Sequence, residues 1–497
     1  MSLISTACSK EAKPSHRFLL ALSLAAWLFG FASHLSAKPN VIVIFTDDQG
    51  YADLSAQGQL DDIKTPHIDA LAGSGVRCTA GYVTSPQCSP SRAGLLTGRY
   101  QQRFGFDENP DCPLPLEELT IAERLNQVGY ICGMVGKWHL EPNFLSQKWL
   151  AVHYPDQVGK PRSEVRIPIE EIHRYSPHAQ GFQEFFLGSQ QQIWANFDLD
   201  GNSLTASGQS LNFEDRYRID LKTDAALSFL QRNQDKNFFL YLSYMAPHTP
   251  LEATERYLKR FPGEMPTRRR YALAMQSAID DGVGRVMEFL KQNDLEENTL
   301  VFYLSDNGAP IHNRRDSPIH TDMGGWDGSL NDPWRGEKGR LSEGGIRVPF
   351  IASWKGRIPS GQVYDHPVSS LDIAATVVAA ADFAPIEALD GVDLVPYFSK
   401  QRSGAPHDAL FWRFRKQFAI RLGKWKYIQD RNAGHGLFDL SSENHEGENL
   451  INDLPEIASR LRERLYAWSL EIEPPSLPEN PPQQSEPNWL KKYFKEN

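Results

Sequence analysis

Cysteine is scarce in this chain, with five among 497 residues, too few for a disulfide-built scaffold. With Cys8 in a leader and Cys88 set apart by its own motif, Cys78, Cys112 and Cys132 remain, an odd set that permits one disulfide at most. Positive charge is also short. Lys and Arg number 52 against 62 Asp and Glu, a formal net charge of −10, and that balance suggests no nucleic-acid partner. Long apolar runs are missing except for residues 18–32, which follow Lys10, Lys13 and Arg17 and precede Leu35-Ser36-Ala37. A basic flank, a short apolar stretch and small residues form the layout of a secretory signal peptide over residues 1–37. The alternative is an uncleaved anchor, but the run is short for a spanning helix and no second one follows. The chain is therefore expected to be exported, periplasmic or secreted, with no stable membrane anchor. Removing three basic side chains and Glu11 with the leader takes the net charge to about −12. There is no internal repeat.

What is present is the composition of an ordinary globular protein, 40% hydrophobic and 23% charged. Four short apolar runs, 40–46, 130–135, 238–245 and 300–304, read as strands buried on both faces of a sheet. Helical patterns at 121–128, 221–230 and 271–290 lie between them, and the alternation predicts a doubly wound, mostly parallel α/β sheet. After residue 398 short alternating strands at 409–414, 418–422 and 425–428 predict a small antiparallel sheet, followed by a helix at about 456–470 and a Pro-rich tail at 474–487. The expected division is a catalytic α/β domain at 38–398 and a C-terminal α+β subdomain at 399–497. The polar stretch 309–333, rich in Gly and Asp, is long for a loop and is expected to contact substrate.

Each strand candidate runs into chemistry. Asp47-Asp48 follow the first, Gly136-Lys137-Trp138-His139 the second, Ala246-Pro247-His248 the third and Asp306-Asn307-Gly308 the fourth. Ligands bind at the carboxyl ends of parallel strands, so four clusters spread over some 260 residues should converge on one cleft. Asp47, Asp48, Asp306 and Asn307 offer only oxygen, the donor set of a hard cation such as Ca²⁺, whereas zinc would want His or Cys. Taken alone, an Asp pair after a strand is as readily a helix cap or turn, and a His beside Trp138 or Pro247 a packed side chain. Between Cys88 and Arg99 the chain reads Cys-Ser-Pro-Ser-Arg-Ala-Gly-Leu-Leu-Thr-Gly-Arg. Pro90 suits a first helical turn and Gly98 a stop, which puts Cys88 at a helix N-terminus where the dipole and free N–H groups favour an anion. Arg92, four residues on, reaches back one turn.

That string resembles the active-site signature of the type I, formylglycine-dependent sulfatases of the alkaline phosphatase superfamily, and so do Thr65-Pro-His-Ile-Asp-Ala-Leu-Ala72, Glu343-Gly-Gly-Ile-Arg-Val-Pro-Phe350 and Ser370-Leu-Asp-Ile-Ala-Ala-Thr376. The resemblance covers about 40–398. It implies an alkaline-phosphatase-like fold and a sulfuric ester hydrolase in which a formylglycine-generating enzyme oxidises Cys88 to an aldehyde, whose hydrate attacks sulfur. It implies Ca²⁺ held by Asp47, Asp48, Asp306, Asn307 and the residue at 88. Arg92 would orient the formylglycine, Lys137 and Lys338 would hold the sulfate, His139 would take a proton from the diol, and His248 with Lys338 would protonate the leaving alcohol. A basic, metal-containing island is then needed within an acidic protein.

The expected substrate is a sulfated carbohydrate, with Trp326, Trp334, Arg314 and Arg315 of the long loop as candidate contacts. One rival is the phosphonate monoester and phosphodiester hydrolases of the same superfamily, which typically carry Asp-His-Gly where this chain has Asp306-Asn307-Gly308. The other is a non-catalytic binder of sulfated glycans, the outcome if Cys88 is left unmodified.

Overall fold

In the computed structural model, which describes residues 38–311, 319, 326–384, 388–430 and 434–473, the apolar run after Pro39 forms strand β1 (Asn40–Asp47), every residue of it buried. The expected signal peptide, Arg314, Arg315 and the Pro-rich tail lie outside the described residues. The other strands are β2 (Val76–Cys78), β3 (Gly81–Tyr82), β4 (Ile131–Gly136), β5 (Glu184–Leu187), β6 (Gln192–Ala195), β7 (Gln209–Asn212), β8 (Phe238–Pro247), β9 (Thr299–Ser305), β10 (Phe350–Ser353), β11 (Gln362–Tyr364), β12 (Val368–Ser369), β13 (Leu410–Phe414), β14 (Gln417–Leu422), β15 (Trp425–Asp430) and β16 (Gly434–Asp439).

Ten of these form one sheet in the order β11-β2-β10-β9-β1-β8-β4-β5-β6-β7. Its centre, β9 through β5, is parallel, and β10, β6 and β7 bring in antiparallel pairings. Side chains alternate across β1 and feed two cores. Ile42 and Ile44, with Leu240 and Leu242 of β8, belong to the core that includes residues of the helices Pro66–Ser74, Arg218–Asn233 and Thr267–Gln292. Val41, Val43 and Phe45, with Phe239 and Tyr241, share the other core with residues of the helices Cys88–Thr97, Ile121–Asn126 and Leu371–Ala380. The sheet is doubly wound, as the uninterrupted apolar runs require. Each Val, Ile, Leu or Phe so buried contributes about 1.5–3 kcal/mol relative to exposure.

Strands β13 to β16 form an antiparallel sheet. One apolar cluster joins it to the helix Pro455–Ser469, and another joins Leu410, Trp412 and Ile428 to Ala80, Tyr82, Leu341 and Val348 of the larger body. The described residues from Pro39 on cluster as a single unit. Among the described residues no helix is long and apolar enough to cross a membrane. Cys78, Cys88, Cys112 and Cys132 are buried and unbridged.

Candidate active site

Parallel register brings the strand ends together. Thr46 of β1 pairs with Ser305 of β9, and Gly136 of β4 with Ser243 of β8. The chain then turns sharply at two points, because Asp48 and His139 both adopt left-handed backbone, φ 63° and 62°. Asp and His tolerate that region better than most side chains, and such strain concentrates at functional positions. The helix Cys88–Thr97 starts at Cys88 and stops at Gly98, φ 70°, as the motif predicts.

These turns gather the residues singled out in the sequence. Ligand atoms of Asp47, Asp48, Cys88 and Asp306 all lie within 4.8 Å of one another. The Cys88 thiol donates to Asp47 Oδ1 at 3.6 Å. Lys137 Nζ donates to Asp47 Oδ2 at 2.6 Å, and Lys338 Nζ lies 2.6 and 2.8 Å from the two oxygens of Asp48. Arg92 reaches Asp306 Oδ2 at 2.7 Å. Asn307 Nδ2 donates to Asp48 Oδ1 at 2.6 Å, while Asn307 Oδ1 is buried with no hydrogen-bond partner. His248 Nε2 stands 3.6 Å from Asp48 Oδ2. Three carboxylates gathered in one buried spot are the oxygen donors a hard cation takes, and the buried, unpartnered Asn307 Oδ1 beside them is a further oxygen whose isolation costs about 1–3 kcal/mol.

Charge at the site is finely opposed. Burial would raise Asp47, but Lys137, His248, Arg92 and Lys338 outweigh it and hold the carboxyl well below the usual range. Asp306 moves the other way, to about 6, through burial and the charge of Asp47, against the pull of Arg92. Burial and Asp306 push the Cys88 thiol up to about 12, so the unmodified side chain is a poor thiolate nucleophile. Burial, then Lys137 and Arg92, lower His139 well below its ordinary value and keep it neutral. His248 is lowered by burial, opposed by Asp47 and Asp48.

Other residues at this centre carried no signal in the sequence. Ser243 accepts from Arg92 at 2.5 Å and donates to the Lys137 carbonyl at 2.8 Å, which links the helix Cys88–Thr97 to β8 and to the end of β4. It sits in an apolar run and reads as strand filler. Arg218, buried on its helix, donates to the carbonyls of His248 (3.0 Å) and Pro250 (2.8 Å), clamping the turn that carries His248. The long loop corrects the expectation that Trp326 and Trp334 meet substrate. Trp326 is 2% exposed and donates to the Ser329 carbonyl at 2.8 Å, and Trp334 is 9% exposed under the Arg347 guanidinium, 3.7 Å from its ring centroid. Both are packing residues. Asn331 also ties the loop's two ends, donating to and accepting from Ala309 at 2.9 and 2.8 Å.

Residues 39–383 match the family model for sulfatases. The chain belongs to the sulfatase family. A second model, N-sulphoglucosamine sulphohydrolase, C-terminal, matches this sulfatase over residues 336–470. It is 31% identical over 492 residues to human arylsulfatase A, with 89% of each chain covered. It is 31% identical over 441 residues to the N-acetylgalactosamine-6-sulfatase of Canis lupus familiaris, covering 82% of this chain and 74% of that one. Among solved structures, Ps i-CgsB superposes with a TM-score of 0.71 at 29% identity, covering 88% of this chain and 94% of that one. The same protein has been solved in complex with k-i-k-neocarrahexaose. The phosphonate monoester hydrolase of Agrobacterium radiobacter shares the fold, with a TM-score of 0.59 at 20% identity. The protein is a sulfuric ester hydrolase.

Proposed function

We propose that this sulfatase removes sulfate from a sulfated carbohydrate, using a formylglycine made from Cys88 and one bound Ca²⁺. The observation that carries the reading is the placement of Cys88 at the first turn of a buried helix, its thiol 3.6 Å from Asp47 inside the three-carboxylate cluster. Asp47, Asp48, Asp306 and the free oxygen of Asn307 would hold the calcium, with the residue at 88 beside them. When bound, the ion supplies Lewis-acid polarisation of a sulfate oxygen and offsets the crowded carboxylates. Oxidation of the thiol by a maturation enzyme would supply the nucleophile that a thiol pushed up to about 12 does not.

Around that centre the side chains divide the work. Arg92, fixed by Asp306 and Ser243, orients position 88. Lys137 and Lys338 pair with Asp47 and Asp48 and so stand where sulfate oxygens would arrive. Neutral His139 suits proton removal at position 88, and His248 with Lys338 suits proton delivery to the departing alcohol oxygen. Asn307, where the phosphonate and phosphodiester hydrolases typically carry histidine, favours the sulfate reading. Residues 1–37 are read as the export signal, and 38–398 and 399–497 as the catalytic and C-terminal parts. A carbohydrate substrate is supported by Ps i-CgsB, whose complex holds a carrageenan-type oligosaccharide. The test is sulfate release, followed by ion chromatography, from defined sulfated oligosaccharides. The protein should release sulfate from at least one of them and its Cys88→Ala variant from none. Release by both, or by neither, would reject the reading.

A further inference from the structure

Beside the catalytic centre lies a recess of about 240 Å³ whose lining starts at Lys137 and His139 and ends at His173 and Trp194. It is smaller than the roughly 300–1,000 Å³ of pockets that take a whole ligand, so it suits one unit of a larger one. Part of its lining is aromatic. The His173 and Trp194 rings stack with centroids 4.2 Å apart at 30°, and the indole is pinned by Nε1 donating to the Ser207 carbonyl at 3.0 Å. Ile169, 52% exposed, contributes apolar surface to the same lining.

Two polar atoms of the lining residues are unmet. Glu141 Oε2 and His139 Nδ1 are buried without a hydrogen-bond partner, and both side chains line the recess. No lining residue brings a free cation. Lys137 is held by Asp47 at 2.6 Å, and burial lowers His173 below the usual histidine range. An aromatic pair and an unpaired carboxyl oxygen in one lining, with no spare positive charge, suit an uncharged ring that has an apolar C–H face and hydroxyls, and disfavour an anionic one.

We infer that this recess is a subsite for an unsulfated sugar ring next to the sulfated one, stacked on the Trp194 wall with a hydroxyl donating to Glu141. The inference rests on the carbohydrate reading above and adds that the substrate is at least a disaccharide, recognised on one side by its neutral unit. Trp194 and Glu141 are then substrate-binding residues that no motif in the sequence marks.

The experiment compares kcat/KM for sulfated monosaccharides with that for sulfated disaccharides carrying one neutral ring, drawn from carrageenan-, chondroitin- and heparan-type chains. The wild-type protein should prefer its best disaccharide by about tenfold or more, the scale of one aromatic stacking contact with a hydrogen bond. Trp194→Ala and Glu141→Gln should each erase most of that preference, chiefly by raising KM for the disaccharide, while Trp194→Phe should keep most of it. A wild type that treats mono- and disaccharides alike, or variants that retain the preference, would overturn the subsite. A uniform loss of kcat on both substrates in Trp194→Ala, repeated in Trp194→Phe, would mark a structural role and overturn it as well. If no carbohydrate sulfate is cleaved while an aryl sulfate is, the carbohydrate reading itself falls, and the subsite with it.

Discussion

His248 Nδ1 donates to the Thr249 carbonyl at 2.5 Å, so Nε2, 3.6 Å from Asp48 Oδ2, carries a transferable proton only in the imidazolium, the form that Asp47 and Asp48 favour against burial. If that proton goes to the leaving oxygen, His248→Ala should slow sugar sulfates by two orders of magnitude or more, within the ~10²–10⁴ of general acid catalysis. Aryl sulfates, whose phenolate leaves with little help, should be slowed far less. The proposed role of His139 falls after the alcohol has gone. His139→Ala should therefore depress steady-state turnover equally for every substrate and show a burst of alcohol release, and a leaving-group effect equal in the two variants would contradict both assignments. Arg218→Gln, which unclamps the carbonyls of His248 and Pro250, should show the leaving-group pattern of His248→Ala in milder form. The proposed metal site has its own signature in pH. Asp306, raised by burial and Asp47 to about 6, is protonated in the metal-free fold below that value, and its contribution to metal-free stability is lost as pH rises through it. Calcium needs the ionised form, so the rise in Tm on adding calcium should grow as pH climbs through about 6 and vanish in Asp306→Ala. A calcium shift independent of pH would argue against these ligands.

Between elements, β4 and β8 approach closely at the site. At Gly136, φ 108°, an added Cβ would lie 1.9 Å from the Ser243 carbonyl oxygen, and the next residue is Lys137. Gly136→Ala should cost about 1–3 kcal/mol in chemical denaturation and lower activity by more than stability accounts for. An active variant with native stability would show that this spacing is not needed. The same elements indicate what can be read from sequence. Strands β1, β4, β8 and β9 were legible because burial on both faces leaves an unbroken apolar run. Strands β6 and β7 were not, since edge strands such as Gln209–Asn212 are short and half polar and look like loop. The helix Pro455–Ser469 and the strands β13 to β15 were visible by period, whereas β16, with Gly434, His435 and Gly436, was not. At the site, motifs marked Cys88, Arg92, Lys137, His139, Lys338 and the candidate acidic ligands, which the fold brings together. Ser243, Arg218 and Glu141 escaped because a single polar residue on a buried element carries no pattern of its own. Trp326 and Trp334 misled for the opposite reason, because a tryptophan in a polar stretch looks like a ligand contact even when it is packing.

Over the whole molecule, the C-terminal sheet is joined to the larger body by buried charge as well as by apolar packing. Lys426 Nζ sits between Glu343 (2.8 Å) and Glu446 (2.9 Å), and Glu343 also meets Arg347 at 3.0 Å and accepts from Tyr82 at 2.6 Å. Lys426 offsets two buried carboxylates at once, so Lys426→Met should destabilise the protein by about 3–5 kcal/mol, read as a lower urea midpoint. If the two parts unfold together, tryptophan fluorescence and circular dichroism will shift by the same amount, and separate transitions would show that the network does not couple them. The central claim, that catalysis depends on a formylglycine at position 88, has one direct measurement. Preparations matured to different extents are assayed for sulfate release, and the peptide containing residue 88 is weighed by mass spectrometry in each. Activity per mole of chain should rise in proportion to the fraction carrying the aldehyde or its hydrate and extrapolate to zero when only thiol remains. Full activity from chains that retain the cysteine would contradict the account.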